Sequence, residues 1–124
     1  MGSGTVLVIA PDERWLRVLE ITLRLGGYTP ATRRSISDAL RLRTGDEPAE
    51  AIVLDLGTDS TTSDAERVRE LLSGGQLRAV VILPERFEEQ IDEFRAAGAE
   101  VLIRPYQPSA LYAALERARA GASG

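Results

Sequence analysis

Five short apolar runs alternate with five helix-like segments along the whole chain, and this alternation constrains the fold more than any single residue. The runs are Thr5–Ile9, Tyr28–Arg33, Ala51–Leu56, Ala79–Leu83 and Val101–Ile103. Between them the apolar spacing changes to a helical period: Leu16, Leu19 and Leu23 recur at i, i+3 and i+7 over Glu13–Leu25, with Asp12 placed to cap that helix. Gly26-Gly27 ends it. Ser35 or Ser37 opens a second helix to about Arg43, with Ile36, Ala39 and Leu40 inward. Ser63 or Asp64 opens a third that buries Val68, Leu71 and Leu72 and stops at Gly74-Gly75. Pro84 begins a fourth through Ala97, with Phe87, Ile91 and Phe94 inward and Glu85, Glu88, Glu89, Asp92 and Glu93 facing water. The fifth, Pro108–Ala120, buries Leu111 and Leu115.

Strict β-α alternation with short connections predicts an α/β fold of three layers, a five-stranded all-parallel sheet between helices on both faces. Ala51–Leu54 and Ala79–Leu83 are continuous in apolar character, as strands buried on both faces must be. Pro30 interrupts the second run, which suits an edge strand. The doubly wound order 2-1-3-4-5 then fits, with any site at the carboxyl ends of strands 1, 3, 4 and 5. Those ends carry Asp12, Asp55, Pro84 and Arg104.

Composition removes whole classes of chemistry. The chain has 124 residues, enough for one domain, expected over residues 5–120. Met1–Gly4 and Gly121–Gly124 read as flexible ends or cloning remnants. It contains no His, Cys, Lys or Asn, and its basic residues are all Arg. This excludes imidazole and thiolate nucleophiles or metal sites, Schiff-base lysines and the P-loop lysine. A net charge of −4 without a basic stripe argues against nucleic acid as a partner. No apolar run approaches the roughly 18 residues of a membrane span, and no secretory pattern opens the chain, so a cytoplasmic location is expected.

Several stretches resemble the receiver domain of two-component response regulators, the CheY-like, flavodoxin-like fold. They are V-L-V-I at Val6, L-G-G-Y-T-P-A-T through Tyr28, A-I-V-L-D-L around Asp55, A-V-V-I-L at Ala79 and A-G-A-E-V-L-I-R-P-Y ending at Tyr106. The resemblance implies that Asp55 holds the position of the phospho-acceptor. In that family Mg²⁺ sits on the acceptor and on acids after the first strand. A hydroxyl residue after the fourth strand and a lysine after the fifth bind the phosphoryl oxygens. Here Ala10 and Pro11 stand where the acidic pair belongs, Pro84 at the hydroxyl position and Arg104 at the lysine. Pro105 is kept, and Val101 lies nearest the aromatic switch position. The resemblance also implies a cis Arg104–Pro105 peptide.

One carboxylate is a poor anchor for a cation that wants near-octahedral oxygen ligation. Pro84 has no hydroxyl and no N–H, and a guanidinium is not a compact ammonium. The expectation is therefore a degenerate receiver (a pseudo-receiver): a non-enzymatic protein-interaction or dimerisation module without a cofactor. Arg104 either pairs with Asp55 in place of the metal or lies solvated at the strand end. The alternative is a working acceptor using Asp55 with Mg²⁺ supported by Asp12 and Glu13; against that, Asp12 also serves as a helix cap. A small-ligand site on the same rim is a third reading, disfavoured by the lack of a glycine-rich phosphate loop. The family's usual interface implies a partner, or a second copy, on the fourth helix, fifth strand and fifth helix, through Ile91, Val101, Tyr106 and Tyr112. An output domain in a longer parent protein is also implied. Tyr106 and Tyr112 fit packing on Pro105 and the last strand equally well, and Trp15 is expected to be half-buried.

Overall fold

A computed structural model describes residues 5–33, 51–56, 66, 68–70, 72 and 78–121. The sheet strands are β1 (Thr5–Ile9), β2 (Thr29–Arg33), β3 (Ala51–Asp55), β4 (Ala79–Leu83) and β5 (Glu100–Ile103). Every pairing is parallel and the order is β2-β1-β3-β4-β5. This is the order expected from the alternation, with Pro30 on the edge strand where its missing N–H costs no ladder bond. The expected second helix, the Ser63 or Asp64 cap, Leu71 and the Gly74-Gly75 stop lie outside the described residues.

Successive side chains of a strand point to opposite faces, and this sorts the core into two clusters. Val6, Val8, Val53, Val80 and Ile82 pack against Leu16, Leu19 and Leu23 of helix α1 (Glu13–Leu25) and against Leu111 and Leu115 from the C-terminal helix. Leu7, Ile9, Ile52, Leu54, Val81 and Leu83 face the other way, onto Val68, Leu72, Phe87 and Phe94. β3 and β4 are buried along their whole length. Glu66, Val68–Glu70 and Leu72 are helical, and Val68 and Leu72 are buried as expected.

The fourth helix differs from expectation. Residues Glu85–Gln90 form 3₁₀ turns, and only Ile91–Ala96, helix α2, is α-helical. Pro84 supplies no side-chain cap, and the chain turns tightly instead, with Phe87 N–H bonded to Pro84 O at 2.9 Å. The tighter turn still delivers Phe87 and Phe94 to the core, so tertiary packing overrides the helical period here. The last helix, α3, runs Pro108–Gly121, one residue beyond the expected end. Gly27 and Gly98 close α1 and α2 with positive φ, at 91° and 99°, a conformation that favours glycine.

A candidate functional pocket at the carboxyl edge of the sheet

The strand ends gather Asp55 and Arg104. Asp55 is the last residue of β3 and is 3% exposed; Arg104 follows β5 and is 9% exposed. Arg104 N–H bonds Leu83 O at 3.1 Å, extending the β4–β5 ladder by one residue and holding the arginine at the rim. From there its Nη2 donates to Asp55 Oδ1 in a buried ion pair. Of the two expectations for Arg104, the structure has the pair. The Arg104–Pro105 peptide is cis, as the resemblance implied.

Burial pushes the Arg104 guanidinium below its ordinary pKa, while the charges of Tyr106 and Asp12 push it up. An arginine stays protonated through such a shift. The charge is therefore real, and removing it from water is costly unless it is compensated. Asp55 provides one compensation. Trp15 provides another: its ring centroid lies 4.7 Å from the guanidinium carbon, in cation–π range. Trp15 is the third residue of α1 and half-buried. Its part in the pocket was missed in the sequence, although a tryptophan in the first turn of a helix leaving the β1 rim was the available signal.

The other expected pocket residues divide. Asp12 caps α1, its Oδ1 accepting the Arg14 N–H at 2.8 Å. Glu13 is exposed and faces Arg17 at 3.7 Å. Ala10 and Pro84 are buried, and Pro11 and Pro105 are exposed; none of the four offers a side-chain oxygen. Among the described residues no three potential metal-ligating side chains come together. With Asp55 Oδ1 on a guanidinium and Asp12 Oδ1 on a backbone N–H, this donor set does not fit Mg²⁺, which asks for oxygens in octahedral array.

The proposed interface residues fall on two sides of the sheet edge. Ile91 and Val101 are half-buried against the α2 cluster, whereas Tyr106 and Tyr112 are half-buried against the α3 cluster. Burial raises the Tyr106 phenol, with Arg104 opposing. Tyr112 turns inward rather than outward: its hydroxyl donates to Thr22 O at 2.6 Å, and its ring stacks on Tyr28 at 6.3 Å. Tyr28 in turn donates to Glu116. These two tyrosines tie α1, β2 and α3 together, a clasp that sequence spacing did not reveal because its members lie far apart in the chain.

No protein-family model and no curated protein matches this chain. Solved structures do. A sensor protein from Polaromonas sp. JS666 superimposes with a TM-score of 0.74 at 22% identity, covering 95% of this chain and 97% of that one. A response regulator receiver protein from Sinorhizobium medicae WSM419 gives 0.71 at 17%, covering 97% of each chain.

The fold is that of a receiver domain. Full-length FixJ from B. japonicum matches with a TM-score of 0.78 at 19% identity, and there this chain spans only 59% of the partner structure. In the receiver fold the rim holding Asp55, Arg104 and Trp15 is where the strand order reverses, the place where sites form in open α/β sheets. Among the described residues no helix is long and apolar enough to cross a membrane.

Proposed function

We propose that this chain is a receiver-like module of two-component-type signalling in which a permanent ion pair replaces phosphorylation. The observation that carries this reading is the buried bond from Arg104 to Asp55. A phosphodonor approaching Asp55 brings a second anion to a carboxylate, and that step needs a divalent cation to offset the charge. Here the offsetting charge is a side chain that cannot be exchanged for a metal and blocks the approach to the carboxylate. The pocket is thus held in one state, and the module acts without catalysis and without Mg²⁺.

Its output is contact with a protein partner or a second copy, through the edge formed by α2, β5 and α3. The match to part of full-length FixJ supports a parent protein in which such a domain accompanies an output module. Such a module works in the cytoplasm.

The test is a titration with Mg²⁺, then with beryllofluoride, which imitates an aspartyl phosphate. It is followed by amide NMR shifts in wild type and Asp55→Asn. Neither addition is expected to shift the rim residues. Saturable shifts in wild type at millimolar Mg²⁺ or below, absent in Asp55→Asn, would establish a working acceptor and refute the proposal.

A further inference from the structure

We propose that Trp15 is a positioning residue: its indole face holds Arg104 on Asp55, so the first turn of α1 decides whether Asp55 can be reached from solvent. This rests on the reading of the ion pair given above and adds a moving part to it.

Hydrogen bonds leave the guanidinium under-determined. A guanidinium carries five N–H donors in a fixed fork, yet Arg104 Nε and Nη1 are buried without a hydrogen-bond partner among the described residues. A bond through Nη2 alone leaves the planar group free to rotate about that contact, unlike a two-pronged carboxylate pair. The face of the group is what remains to be constrained, and the Trp15 ring covers it at 4.7 Å. Planar cations favour such stacking on an aromatic face.

Trp15 is also placed to move. The Asp12 cap fixes the first turn of α1 and with it the Trp15 backbone. The indole itself belongs to neither core cluster. It borders a cleft of about 310 Å³ lined by Asp12, Arg14, Trp15 and Val18. Rotation of the side chain into that cleft displaces no core residue. It strips the cover from Arg104 and admits water to a pair that is otherwise 3% and 9% exposed. Whatever engages the first turn of α1 therefore acts on Asp55 through the indole.

The experiment is carboxyl labelling of the intact chain by a water-soluble carbodiimide and an amine at fixed pH, with Asp55 modification followed by peptide mass spectrometry. Exposed Glu13 and Glu85 provide internal references. Trp15→Phe keeps an aromatic face and should label at Asp55 nearly as slowly as wild type. Trp15→Leu keeps apolar cover without the face and should label about three- to fivefold faster, the factor for loss of a partly exposed cation–π contact. Equal protection in the Leu and Phe variants overturns the proposal.

Arg104→Gln separates the two readings. If it leaves Asp55 as protected as wild type, the ion-pair reading fails. If it exposes Asp55 while Trp15→Leu does not, only the role of Trp15 fails. Should Trp15→Leu not fold, Arg104→Gln still decides: Trp15 is the sole tryptophan, and its emission should shift to the red once the cation beneath it is gone. Unchanged emission in the folded variant overturns the proposal.

Discussion

Removing the Asp55 carboxylate should unbalance the pocket, and the size of the effect follows from burial. The side chains of the pair are 1% exposed at Asp55 and 9% at Arg104. Deleting one partner of a fully buried pair costs about 3–5 kcal/mol, because the other charge is stranded. Two features reduce that here. The Trp15 face remains on Arg104, worth about 0.5–1 kcal/mol for a partly exposed contact. The arginine also lies at the rim of the sheet, one residue past β5, where a swing of the side chain regains water. Asp55→Ala should therefore lower stability by about 2–3 kcal/mol.

Arg104→Met takes the guanidinium from the buried aspartate instead and should cost a similar amount. The double variant strands neither charge and lets Met pack under the indole, so it should fall within about 1 kcal/mol of wild type. Urea unfolding at constant pH, with unchanged m-values, measures all four proteins. A coupling energy of at least about 2 kcal/mol in magnitude is expected. Additive single effects, or an Asp55→Ala cost below about 0.5 kcal/mol, would mean that the pair contributes nothing in solution, and the account of the pocket would collapse.

Two further outcomes concern the tyrosine clasp. A Cβ at Gly26 would lie 2.5 Å from Tyr112 Cε1, and that ring is held by Thr22 and Tyr28. Gly26→Ala should thus lower stability by about 1–3 kcal/mol in urea melts, and the penalty should largely vanish in a Tyr112→Leu background. The Tyr28 pKa is raised from 10.0 to about 12, by burial first and then by the Glu116 carboxylate. The folded state therefore keeps a proton that the unfolded chain releases. The corresponding stability is intact below pH 10 and declines as pH rises to about 12. The chain has no lysine or cysteine to titrate in this window, and the slope that remains in Tyr28→Phe belongs to the other raised phenol, Tyr106. Tyr28→Phe should flatten that stretch of the pH–stability curve, and an unchanged slope would refute the assignment.

Local signals made the scaffold legible. Asp12 as a cap and Gly26-Gly27 as a stop bound α1 at Glu13 and Leu25 in both the sequence and the structure, because capping acts within one turn of the chain. The 3₁₀ turns at Glu85–Gln90 were not legible. The helical spacing of Phe87, Ile91 and Phe94 is the same for a continuous helix, and only packing against the sheet distinguishes the two.

The sequence by itself determined the alternation of strands and helices, the edge position of the Pro30 strand, and the set of residues at the strand ends. These depend on periodicity and backbone chemistry, which a chain carries before it folds. The tertiary structure decided how the strand-end residues interact. Asp55 and Arg104 are 49 positions apart, and Trp15 lies far in sequence from both. Whether Arg104 met Asp55 or water depended on the β4–β5 register, which turns its side chain inward at the rim, and on the first turn of α1, which lays an indole over it. Long-range electrostatics of this kind has no signature in local sequence, because its strength is set by the burial that only the assembled sheet creates.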